Sequence, residues 1–98
     1  MRTSDKSYRD YGFKHNEEKY IKYLARQPNY ERRLLLYDAA YAADPTLADD
    51  VVYSIVSGVS YDEILKIHYI PVKRTVFYGY CRSTLALFRD RMLEYGAL

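Results

Sequence analysis

Proline, glycine and capping residues cut this 98-residue chain into short segments at points where a helix cannot continue. Gln27-Pro28 closes the first, because the residue before proline avoids helical backbone angles. Asn29 then stands where a side-chain oxygen caps a second helix, expected over Tyr30–Ala43. Asp44-Pro45 is a start signal, the carboxylate accepting an orphan N–H while proline takes the first helical position. The third helix should run to about Ser57, with Gly58 as its left-handed stop. Ser60 and Glu63 have capping-box spacing, opening a fourth helix through about His68. Pro71 forbids that helix from running on, and a fifth is expected from Arg74 to Glu94.

Apolar spacing fills these segments with helix rather than strand. In Phe13–Arg26 the groups are Tyr20, Ile21, Tyr23 and Leu24, and in the second segment Leu34, Leu35, Tyr37, Ala40 and Tyr41, at steps of three and four. Leu47, Val51, Val52, Ile55 and Val56 supply the third; its β-branched run VVYSIV invites a strand, but the Asp-Pro start and Gly stop favour helix. Residues 1–12 are polar, contain Gly12 and keep no period, so a mobile arm is expected there. The reading is all-α: a single helical domain of about five helices over residues 13–98, with a helix-turn-helix at 60–94.

This length allows one domain with its own core and no separate catalytic domain. There are 13 Tyr, three Phe and no Trp. Tyrosine packs a ring while keeping its hydroxyl at a rim, which suits both small cores and wet interfaces. The single cysteine, Cys81, excludes an internal disulfide and a multi-cysteine zinc site. No apolar run reaches the length of a membrane span, and MRTSDKSYRDYGFKH lacks the apolar core of a signal peptide. A reducing cytoplasm is the expected location.

Net charge is only +2, but it is unevenly spread. Met1–Arg33 holds nine Lys and Arg against five Asp and Glu. Leu34–Leu65 holds six acids (Asp38, Asp44, Asp49, Asp50, Asp62, Glu63) and no base. Lys66–Leu98 returns to six bases against Asp90 and Glu94. A basic C-terminal third fits a surface that meets phosphates, with the acidic middle turned away. Solvated charged faces are the plainer reading of the same blocks.

Within the last third, Ile64, Ile67, Ile70 and Val72 can form an apolar corner between the fourth and fifth helices. Val76, Phe77, Tyr80, Leu85, Phe88 and Met92 are expected largely inward on the fifth. Arg74, Thr75, Tyr78, Arg82 and Arg89 then share the outer stripe. Arg and Thr near the start of such a helix reach base edges, while Tyr and the later Arg meet phosphates or thymine methyls. Lys66 and Tyr61 would reach flanking phosphates. Gly79, worth roughly 1 kcal/mol less than alanine in a helix, lies within the stripe. It reads either as a point of close approach to DNA or as a tolerated interruption.

GVSYDEILKI at Gly58–Ile67 resembles the entry helix of sigma factor region 4, whose usual form is Gly-apolar-Ser-Tyr-acid-Glu-Ile. IPVKRTVFYGYCR at Ile70–Arg82 resembles phage transcriptional regulators of the RinA and ArpU type, with their Arg-Thr-aromatic-Tyr start to the second helix. PNYERR at Pro28–Arg33 is similar to the upstream helix of those proteins. The resemblance spans roughly Pro28–Met92. It implies a three-helix, wingless helix-turn-helix core and a role in late-gene or mobile-element transcription in the cytoplasm of a bacterial host. It further implies that Lys73, Arg74, Thr75, Tyr78 and Arg82 contact double-stranded DNA. The chain departs from the pattern with Lys73 for a capping Ser, Cys81 for a second basic residue, and Gly79 for a larger polar one.

Catalytic patterns are not found. His15 and His68 belong to no metal-spaced cluster, no His–acid grouping accompanies a Ser or Thr, and there is no Gly-rich phosphate loop. His68, ending the fourth helix, suits a capping or packing role. No enzyme, cofactor or metal is therefore expected. The rival reading is a helical module that binds a host protein such as RNA polymerase or a nuclease, using rings such as Tyr37, Tyr41 and Tyr53. A homodimer is also compatible, with the Tyr-rich first helix as its contact.

Overall fold

The structure is a computed structural model that describes residues 3–96. Among the described residues there are five α-helices and no strand: α1 Glu17–Arg26, α2 Tyr30–Ala43, α3 Ala48–Ser57, α4 Tyr61–Leu65 and α5 Arg74–Glu94. The all-α expectation holds, and the bounds of α2 and α5 fall where they were expected. Asn29 Oδ1 accepts from the Arg32 N–H at 2.9 Å to open α2. Asp44 Oδ1 accepts from the Thr46 and Leu47 N–H groups. This arrests a turn at 45–47, so α3 begins at Ala48 rather than at the proline.

Gly58 stops α3 with φ +70°, the left-handed region that side chains with a Cβ avoid. Ser60 and Glu63 close both halves of the capping box. α4 is shorter than expected: its last hydrogen-bonded turn runs out after Leu65, and the chain turns through Lys66 and Ile67 toward Pro71. His68 lies past the helix end, with Nε2 2.7 Å from Asp50 Oδ1 on α3.

The core forms where α5 packs along α2 and α3, with α1 closing one side. Phe77, Leu85, Phe88 and Met92 from α5 are sealed from solvent, as are Leu36 and Ala39 from α2 and Val51 from α3. Val76 and Tyr80 are only half-buried. Two faces depart from the apolar pattern. On α1 the buried groups are Ile21, Leu24 and Ala25, and Tyr20 and Tyr23 face solvent. On α2 they are Leu36, Ala39 and Ala40, while Leu34, Tyr37 and Tyr41 point outward. At the corner after α4, Ile64 and Ile70 are buried and Val72 half-buried, whereas Ile67 is exposed.

The expected arm is seated on the domain. Residues 1 and 2 lie outside the described residues, but single 3-10 turns at Thr3–Asp5 and Arg9–Tyr11 follow, and the first packs against α5. Tyr8 meets Phe13 edge to face at 5.3 Å. Two α5 arginines hold the segment by its backbone: Arg82 Nε donates to the Lys6 carbonyl at 2.7 Å and Arg89 Nη2 to the Tyr11 carbonyl at 2.8 Å. The absence of a helical period concealed this docking, because two lone rings, Tyr8 and Tyr11, and main-chain carbonyls that any residue supplies make it.

Candidate nucleic-acid interface

The eight residues expected to meet DNA divide into two groups of four. Tyr61 is a core residue: its ring packs at 5.5 Å from that of Phe77, and its hydroxyl donates to the Val72 carbonyl at 2.5 Å. That bond ties α4 to the segment entering α5, so Tyr61 is not placed for a phosphate. Tyr78 is half-buried, and its hydroxyl accepts from the Tyr61 N–H at 2.9 Å, satisfying one of the orphan donors that open α4. Arg82 is half-buried and engaged with Lys6. Arg89 lies 4.2 Å above the Phe13 ring, donates to Asp90 and Tyr11, and has Glu17 at 3.9 Å. The outer stripe of α5 is thus covered over its second half by the N-terminal segment.

Gly79 is buried within α5, the helix that the Thr3–Asp5 turn packs against, so it is not part of the exposed surface. Cys81, at the position where a basic residue was expected, is also buried. Burial pushes its thiol up to about 12, so it stays protonated and unreactive near neutral pH.

Lys66, Lys73, Arg74 and Thr75 remain exposed, spread over the end of α4, the loop and the first turn of α5. Arg74 reaches Asp62 of α4 with Nη2 at 2.8 and 2.7 Å from the two carboxylate oxygens, and both side chains stay in solvent. Beside them runs an open groove whose lining includes Asp5 of the N-terminal segment, Tyr69, Pro71, Val72, Lys73 and Thr75. Tyr69 and Ile67 are exposed apolar groups on this same loop, with no sequence signal beyond their own polarity to mark them.

The electrostatics of this corner differ from those of the other helix starts. Each of α1 to α4 carries acid in its first turn: Glu17 and Glu18, Glu31, Asp49 and Asp50, Asp62 and Glu63. These carboxylates sit against the positive end of the helix dipole. α5, the longest helix, has no acid in its first turn and no side-chain cap, and it begins with Lys73 and Arg74. Its positive end therefore coincides with two cations, offset only from outside the helix by Asp62 on Arg74 and Asp5 along the groove, an arrangement that leaves room for an external anion.

Comparison with protein-family models, curated proteins and solved structures gave no match. Among the described residues no helix is long and apolar enough to cross a membrane.

Proposed function

We propose that this chain is a DNA-binding transcriptional regulator of phage or mobile-element type. In this reading α4, the 66–73 loop and α5 serve as the helix-turn-helix, and the start of α5 enters the major groove. The observation that carries the reading is the first turn of α5, without acid or cap and bordered by exposed Lys73, Arg74 and Thr75. Residues at the start of a recognition helix are those that meet base edges. Arg74 suits a guanine edge, and Thr75 either a base or a thymine methyl. The solvent-exposed ion pair to Asp62 contributes little and can be exchanged for a contact to DNA. Lys66 and Lys73 are the phosphate-binding candidates. The likeness of residues 58–82 to sigma region 4 and to the RinA and ArpU regulators points the same way.

With three exposed cations (Lys66, Lys73, Arg74) rather than the five on the expected surface, binding should be modest. The logarithm of the association constant should fall against that of salt with a slope of about −3, at roughly −0.9 per phosphate neutralised. The test is titration of a labelled duplex across a salt series, with wild type beside Lys73→Ala/Arg74→Ala. Salt-dependent binding that the double variant loses, with an unchanged melting curve, is the expected result. Absence of wild-type binding at low salt would overturn the reading.

A further inference from the structure

Tyr30, Leu34, Tyr37 and Tyr41 follow one another on α2 at steps of four, three and four, and all four are exposed. At 100° per residue they occupy a band only about 60° wide, running the length of the helix. Leu36, Ala39 and Ala40 fill the opposite side and satisfy the core without them. Tyr41 donates from its hydroxyl to Asp49 Oδ1 at 3.2 Å, placing the end of the stripe beside α3. Tyr53, also exposed, is one turn along α3 from Asp49 and widens the apolar surface on that side.

We propose that this face pairs with the same face of a second copy of the chain. The first argument is spacing. Alternating steps of four and three repeat apolar groups every 3.5 residues, the period of a helix–helix seam, whereas a helix packed on a globular core shows a broader stripe. Such a seam is self-complementary, as a two-fold interface requires.

The second argument is area. Tyr30, Tyr37, Tyr41 and Tyr53 are 78%, 39%, 47% and 43% exposed, together about two whole tyrosine side chains, and Leu34 is 52% exposed. At roughly 200 Å² per ring this is about 500 Å² per copy and about 1,000 Å² for a pair, the size at which specific association begins. Charge on this side is acidic, Leu34–Leu65 holding six acids and no base, and is offset in part where Asp38 on the flank of the stripe pairs with Arg91 at 2.7 Å. The contact lies on α2, not on the first helix. It involves none of Lys66, Lys73, Arg74 or Thr75, so it does not depend on the DNA-binding reading.

Sedimentation equilibrium over a concentration series tests the proposal. The wild type should follow a monomer–dimer equilibrium with a dissociation constant in the micromolar range, as expected of an interface at this lower size limit. Leu34→Glu/Tyr37→Glu should weaken it at least tenfold, with circular dichroism and melting confirming that the exposed substitutions leave the fold intact. Tyr30→Ser/Tyr41→Ser, which introduces no charge, should weaken it in the same direction. A wild type that stays monomeric throughout the series would overturn the proposal, and would leave the face to a partner of another kind. A dimer that both double variants form as well as wild type would also overturn it.

Discussion

At the scale of single residues, α5 uses arginine in two ways that composition cannot distinguish. Arg82 and Arg89 donate to main-chain carbonyls 76 and 78 positions away in sequence, while Arg74 lies in solvent beside Asp62. All three were legible as one basic stripe. What hid the difference was that an acceptor carbonyl leaves no mark in a sequence. Arg89→Ala should therefore cost about 2 kcal/mol of stability, through loss of a charged hydrogen bond and of its contact with Phe13. Lys73→Ala should leave stability unchanged and weaken duplex binding. Urea unfolding and a binding titration on the two variants check both. Thr84 presents the opposite case: it is fully buried, and its hydroxyl has no partner among the described residues. Thr84→Val should raise stability by about 1 kcal/mol, because the isosteric methyl has no hydrogen bond to lose. A lower urea midpoint would show that the hydroxyl does have a partner.

At the scale of elements, boundaries were far more legible than faces. Caps and stops act within one turn, so Asn29, Gly58 and Ser60 marked α2, α3 and α4 from local chemistry alone. Which side of α2 turns inward depends on how closely α5 and α3 approach it. Small residues there, Ala39 and Ala40 with Leu36, admit those neighbours and leave the bulkier tyrosines outside. Apolar groups on both sides of a helix offer periodicity no single answer. The start of α5 supplies the sharper test. Lys73 has the extended angles of a cap residue, φ −71° and ψ 161°, but makes no cap hydrogen bond. Lys73→Asp should stabilise the protein by about 1 kcal/mol, by capping the helix and offsetting its dipole. The same change should reduce duplex affinity at least tenfold. Movement of both quantities in one direction would contradict the role assigned to that helix end.

At the scale of the whole molecule, the seating of the N-terminal segment links stability to pH. Tyr8 on that segment is raised to about 12, chiefly by burial, and Cys81 on α5 is raised to about 12 for the same reason. Both groups are neutral when protonated and hold their protons more tightly in the folded chain than in the unfolded one. Their contribution is complete below the unfolded values and is lost as pH climbs from about 9 to about 12. The urea midpoint should fall across that window, and Tyr8→Phe/Cys81→Ala should flatten the fall. A thiol reagent near neutral pH should modify Cys81 only as fast as the fold opens.

The two guanidinium clamps on that segment grip a path rather than a set of side chains. Lys6 and Tyr11 present only their carbonyls to Arg82 and Arg89, so exchanging either residue leaves those acceptors in place. The anchoring arginines lie two helical turns apart, about 10 Å along α5, and the chain between the carbonyls is cut to that span. Between residues 6 and 11, then, the two clamps constrain length, while the Tyr8 ring against Phe13 constrains identity at that one position as well. Losing one residue there would unseat the segment more thoroughly than replacing Lys6 or Tyr11.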